Sequence, residues 1–109
     1  GSVVPVPSTT VNGFSQKIPH IGWNNLVLPP GVENWEESLL QKVKPGEAVY
    51  FVHSFMAVPK NPKHCIANSL YGGVPVPAII SRDNIYGCQF HPEKSGVVGL
   101  KILRRFLSL

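Results

Sequence analysis

The chain has 109 residues, 43% of them hydrophobic and 15% charged, with a formal net charge of +4. It is the size of one domain, yet so low a charged share is unusual for a small self-sufficient one, and a short chain buries less of its surface than a long one. The basic residues Lys17, Lys42, Lys44, Lys60, Lys63 and Arg82 are scattered, and only Lys101, Arg104 and Arg105 gather; without basic and aromatic residues interleaved on one surface, nucleic-acid binding is not expected.

No apolar run approaches the roughly 20 residues a membrane-spanning helix needs, and no secretory leader is visible, so a cytoplasmic protein without membrane contact is expected. Cys65 and Cys88 lie in apolar stretches and outside any Cys-x-x-Cys pair. Buried free thiols are therefore expected rather than a zinc site. The chain opens Gly1-Ser2-Val3 and its one methionine is Met56. It does not begin like an intact translation product, and upstream residues are expected.

In chain order, Val3 to Gly13 reads as an extended segment ending in a turn at Asn12-Gly13. Ile18 to Asn24 is broken by Pro19 and Gly22 and predicts a loop or a strand edge. Asn25 to Leu28 predicts a short strand, and Pro29-Pro30-Gly31 a turn. Asn34 then caps a predicted short helix, with Glu36 and Glu37 in its first turn and Leu39, Leu40 and Val43 at helical spacing, stopped by Pro45-Gly46. Ala48 to His53 is β-branched, aromatic and nearly continuous, which predicts a strand buried on both faces. Cys65 to Tyr71 predicts another, closed by Gly72-Gly73. Pro77 to Ser81 and Ile85 to Phe90 predict a hairpin around Arg82-Asp83-Asn84. A helix starts near Ser95, with Val98, Ile102, Leu103, Phe106 and Leu107 as its buried stripe and Lys101, Arg104 and Ser108 as its wet face. The inventory is strand-rich with two helices. Two helices do not cover both faces of a buried sheet, so the chain is expected to complete a larger sheet or to pair with another copy through its sheet edges.

The chemistry concentrates in Gly87-Cys88-Gln89-Phe90-His91-Pro92-Glu93-Lys94-Ser95. A strand runs into His91, and a helix opens just past Ser95; catalytic groups in α/β proteins gather at such strand ends. Pro92 biases His91 toward extended geometry, in which residues i and i+2 share a face. A carboxylate beside an imidazole selects its tautomer and stabilises the imidazolium. His91 and Glu93 thus supply the base and orienter of a nucleophile–base–orienter triad. A lone His-x-Glu is common; it is the surrounding sequence that gives this one meaning.

Gln89-Phe90-His91-Pro92-Glu93-Lys94-Ser95, set between a strand and a last helix, resembles the class I glutamine amidotransferases. Pro19-His20-Ile21-Gly22-Trp23-Asn24 and Tyr50-Phe51-Val52-His53-Ser54-Phe55 are similar, more narrowly, to the glutaminase subunits of imidazole glycerol phosphate synthases. The three motifs stand in that family's order and span nearly the whole chain. The resemblance implies an α/β, three-layer flavodoxin-like domain, of which residues 1–109 form the strand-rich C-terminal portion with a final helix. It implies His91 and Glu93 as catalytic, Ser54 and Phe55 as positions whose backbone helps hold glutamine, and Trp23, Tyr50 and Lys94 as the face that docks a synthase (cyclase) subunit. A core Trp, a buried strand Tyr and a solvated Lys are the plain readings of those three, and His20 and His53 are expected to be structural.

The family's nucleophile is a Cys in a Gly-x-Cys-x-Gly turn of the N-terminal half, and neither Cys65 nor Cys88 stands in such a turn. Cys88 is three residues before His91, on the opposite face by strand alternation. The chain alone is therefore expected to be inactive, its partners being the missing N-terminal half and the synthase subunit. The implied chemistry is hydrolysis of glutamine to glutamate, with ammonia channelled to the synthase in histidine biosynthesis and no metal or organic cofactor. Two alternatives stand beside it: a paralogous glutaminase feeding a sugar-amidation enzyme, and a non-catalytic binding or assembly module.

Overall fold

Alternating apolar residues and tight turns fold this chain into a series of antiparallel ladders. The computed structural model describes residues 1–7, 10–11, 14–15 and 18–109, with residues 10–11 and 14–15 by backbone alone. The expected Asn12-Gly13 turn lies outside the described residues. Strand β1 (Ser2–Pro5) pairs with β6 (Phe55–Val58), β2 (Thr10–Val11) with β3 (Phe14–Ser15), and β4 (His20–Asn25) with β5 (Ala48–His53). Strands β7 (Cys65–Tyr71), β8 (Val74–Arg82) and β9 (Ile85–Cys88) form a three-stranded sheet, and α1 (Gly96–Leu107) closes the chain. Every pairing among the described residues is antiparallel.

The Ile18–Asn24 stretch takes the strand option. The cis Ile18-Pro19 bond precedes β4 rather than interrupting it, and β4 pairs along its whole length with β5, from His20↔His53 to Asn25↔Ala48. The predicted strand Asn25 to Leu28 reduces to the end of β4 and a single bridge, Val27↔Asn68. At Pro29 to Val32, Pro30 and Gly31 occupy the centre of a turn closed by a 3.1 Å bond from the Val32 N–H to the Pro29 carbonyl. Gly31 has φ 84, which its missing Cβ permits, as a type II turn requires.

The predicted short helix after Asn34 is not one. Residues 35–43 make successive turns, with bonds from Ser38 to Trp35, Gln41 to Ser38 and Val43 to Leu40. The Ser38 hydroxyl donates to the Trp35 carbonyl and accepts from the Leu40 N–H. It thereby competes for the backbone groups a helix would use. The apolar spacing still reported burial, since Trp35, Leu39, Leu40 and Val43 all enter the core. That core continues through Leu26, Val49, Phe51, Ala67, Ala78, Ile79, Phe90 and Ile102.

Strand β5 alternates rather than burying both faces: Val49, Phe51 and His53 point into the core, while Val52 is 41% exposed. The hairpin of β8 and β9 turns at Asp83-Asn84 as expected, with Asp83 at φ 54, a left-handed conformation that Asp tolerates. Strand β8 starts earlier than predicted, at Val74, because Pro75 and Pro77 sit within it; prolines in a run argue against a strand on sequence alone. The final helix is correctly placed, and its stripe is right at Ile102 and at Val98, which packs against the core, but not beyond them. Ile102 and Gly99 are buried, whereas Leu103, Phe106 and Leu107 are exposed, and Lys101 pairs with Glu47 at 3.5 Å.

Candidate active site

The segment after β9 passes from one sheet to the other. The Gln89 N–H still bonds the Ala78 carbonyl of β8 (2.8 Å), whereas the His91 N–H bonds the Tyr50 carbonyl of β5 (3.0 Å). Between them Phe90 is buried edge-on against Phe51, ring centroids 5.8 Å apart. His91 is thereby anchored by its backbone while its side chain stays 42% exposed.

His91 itself is extended (φ −101, ψ 99), as the following proline demands. Pro92–Lys94 then form a one-turn 3-10 helix, closed by the Lys94 N–H on the His91 carbonyl. His91 and Glu93 therefore meet through a turn, and not along an extended strand as the spacing suggested. The His91 Nδ1 lies 2.7 Å from Glu93 Oε1. Glu93's own backbone N–H, then the bond from His91, hold its carboxyl below the usual carboxylate range. An ionised carboxylate only accepts, so Nδ1 of His91 carries a proton, and Nε2 is the acceptor nitrogen of the neutral ring.

Ser95 locks this turn. Only 1% exposed, it does not cap α1 with its side chain. Its hydroxyl accepts from the Tyr50 N–H (3.0 Å) and donates to the His91 carbonyl (2.7 Å). With the His91 N–H on the Tyr50 carbonyl, both backbone groups of Tyr50 are tied to the His91–Ser95 turn. Gly99 lets α1 approach that turn: a Cβ there would overlap the Pro92 carbonyl oxygen and stand 2.8 Å from its carbon. Neither role was visible in the sequence, where Ser95 marks only the start of the last helix.

Of the other expected site residues, Tyr50 and Trp23 lie against this turn. Trp23 is 58% exposed, edge-on to Tyr50 at 5.9 Å, and its ring reaches Gly96 at the start of α1. Lys94 is exposed beside Glu93. Ser54 forms the bend between β5 and β6 and Phe55 opens β6, with the Ser54 carbonyl accepting from the Val6 N–H at 2.9 Å. Cys65 and Cys88 are free. Burial first, and the Glu93 charge second, push the Cys88 thiol up to about 11, so it stays protonated near neutral pH and is a poor nucleophile. A broad groove of about 1130 Å³ lies elsewhere, between the β1–β6 pair and the β8–β9 hairpin, and neither His91 nor Glu93 lines it. The His91–Glu93 pair is the better candidate site than this groove, because a proton-transfer site needs positioned titratable groups before it needs volume. No helix among the described residues is long and apolar enough to cross a membrane.

A His–Glu pair held at the end of a strand and backed by a helix has the geometry that a general base and its orienting carboxylate require. The chain belongs to the glutamine amidotransferase class-I family, whose profile matches residues 3–108, and with it to that family's α/β, flavodoxin-like fold class. It is similar to the imidazole glycerol phosphate synthase subunit HisH 1 of Legionella pneumophila (strain Lens), with 53% identity over 109 residues. It is similar also to the HisH subunit of Geobacillus sp. (strain WCH70), with 45% identity over 109 residues. With the HisH subunit of Thermosynechococcus vestitus it shares 47% identity over 92 residues, 84% of this chain and 42% of that one. The first two alignments take in all of this chain but 51% and 48% of the relatives. The chain spans about half the length of the curated relatives it matches.

Proposed function

We propose that residues 1–109 are the C-terminal portion of a single glutamine amidotransferase domain, the glutaminase of an imidazole glycerol phosphate synthase. The observation that carries the reading is the 2.7 Å bond between His91 Nδ1 and Glu93 Oε1, fixed by the turn at Ser95. In this reading the acceptor pathway is histidine biosynthesis, in the cytoplasm; the relatives' names, imidazole glycerol phosphate synthase subunits, support the acceptor.

In this reading the nucleophile is a Cys contributed by residues outside this chain. Glu93 holds His91 with Nε2 free. His91 donates a proton to the departing ammonia and then takes one from the water that releases glutamate. Ser54 and Phe55 present backbone groups to the glutamine. The Trp23, Tyr50 and Lys94 face docks the synthase subunit, which receives the ammonia. Exposed apolar side chains on the outer face of α1, Val97 at 71%, Leu100 at 45% and Leu107 at 81%, suit coverage by the N-terminal half of the domain, since an amphipathic helix normally exposes polar residues there.

The test is glutamate release by the whole glutaminase subunit in complex with its synthase. His91→Ala lowers turnover at least about a hundredfold, the contribution of a general acid–base, and Glu93→Ala lowers it with little change in fold, since Glu93 is exposed. Undiminished glutamate release by the His91→Ala complex would overturn the reading.

A further inference from the structure

His20 and His53 are buried, at 2% and 9% exposure, and face each other across the β4–β5 pair. The proposed chemistry uses neither. Nδ1 of His20 is 2.9 Å from Nε2 of His53, and Nδ1 of His53 is 2.9 Å from the Phe55 carbonyl oxygen. A carbonyl only accepts, so the proton of His53 is on Nδ1. A neutral imidazole has one N–H, so its Nε2 is an acceptor, and His20 must then donate from its own Nδ1. The bonds run one way: His20 to His53 to Phe55. His20 is stacked between Phe51 at 4.7 Å and Tyr71 at 3.9 Å, which fixes the first ring. Burial lowers the affinity of both rings for a second proton, as the relay requires.

The relay ends at the bend proposed to hold the substrate. Ser54 turns its carbonyl toward β1, where the Val6 N–H binds it. In an antiparallel pair the next residue turns its backbone groups to the other side. Phe55 therefore presents both its carbonyl and its N–H away from β1, and His53 holds that carbonyl. Resting on the reading that Ser54 and Phe55 contact glutamine, we propose that His20 and His53 are positioning residues, whose one-way hydrogen-bond relay to the Phe55 carbonyl aims the Phe55 N–H at the substrate.

The relay acts on binding more than on proton transfer, which separates it from a general loss of structure. In the complete glutaminase–synthase complex, His53→Phe keeps an aromatic ring and removes both bonds. It raises KM for glutamine about fivefold to tenfold, the value of one directed hydrogen bond, while kcat changes less than KM. His53→Asn, whose amide nitrogen can replace Nδ1–H, restores much of the KM. His20→Phe leaves His53 free to change tautomer and raises KM as well. A fall in kcat with KM unchanged, or no rescue by His53→Asn, overturns the proposal. Imidazole nitrogen NMR shifts of the unmodified complex provide a check that does not depend on a variant folding: both rings carry the proton on Nδ1, and an Nε2–H tautomer at His53 overturns the relay. His91→Ala is measured alongside. If it retains activity, the underlying glutaminase reading has failed; if it is inactive while His53→Phe binds glutamine normally, only the relay has failed.

Discussion

Changing Gly99 to alanine opposes two effects of different size. In an exposed helix interior Gly→Ala stabilises by about 1 kcal/mol, because alanine is the better helix former. At position 99 the new methyl would overlap the Pro92 carbonyl oxygen, stand 2.8 Å from its carbon and lie 2.9 Å from the Ser95 Cβ. The first two are backbone atoms and cannot rotate aside. Either α1 lifts away or the Pro92–Lys94 turn shifts, and forcing a methyl into a packed site costs typically about 1–3 kcal/mol. The Pro92 carbonyl also accepts from the Ser95 N–H, and displacing it strains the Ser95 clamp. Because the overlap is with backbone, the upper part of that range, about 2–3 kcal/mol, applies, and overlap wins with a net loss of about 1–2 kcal/mol after the helix gain is subtracted. Thermal unfolding of the glutaminase subunit reports this as a fall in Tm of roughly 2–8 °C, at about 2–4 °C per kcal/mol for a domain of that size. Turnover falls in parallel, because the shifted turn carries His91 and Glu93. An unchanged or raised Tm with normal activity would refute the close approach of α1 to the catalytic turn.

Ser95→Ala leaves the Tyr50 N–H without its buried acceptor and removes the bond to the His91 carbonyl; a loss of about 2–3 kcal/mol and reduced kcat are expected in denaturant melts and glutaminase assays. Trp23→Ala should leave the subunit's Tm nearly unchanged, since the side chain is largely exposed, yet weaken synthase binding by calorimetry at least about thirtyfold, as a central aromatic anchor does. His20 falls from an ordinary value of 6.5 to about 4, through burial first and the facing His53 second. Its neutral form is favoured in the fold, so its contribution is intact above pH 6.5 and is lost as pH falls toward about 4; His20→Phe should flatten that acid limb of the stability profile. Cys88→Ser should leave glutaminase turnover largely intact, because the thiol is held protonated.

The strands that alternate cleanly were legible in the sequence. Ala48–His53 and Cys65–Tyr71 have the bounds their composition predicts. Where local chemistry and tertiary packing disagree, the sequence reads poorly. Leu39, Leu40 and Val43 have helical spacing because they share a buried side, but Ser38 diverts the backbone into turns. Pro75 and Pro77 hide the first half of β8. Leu103, Phe106 and Leu107 read as a buried stripe, yet all three stay exposed, Phe106 meeting only the edge of Tyr86 among the described ring contacts. At the site, the His91–Glu93 pairing was legible from spacing and neighbours, though it closes through a 3-10 turn. The Ser95 clamp on Tyr50 and the direction of the His20–His53 relay depend on residues roughly 30 to 45 positions apart being brought together by the β4–β5 pair and the crossing at residues 89–91, which no local pattern reports; the contact at Gly99 depends on how closely α1 folds back on the Pro92 turn.

On the proposed reading, this chain carries the acid–base half of a glutaminase. The most direct test of that reading mixes residues 1–109 with the proposed N-terminal half and the synthase subunit, and measures glutamate formed from glutamine. Glutamate release that needs all the pieces and disappears with His91→Ala is the predicted result; associated pieces that release none would contradict it.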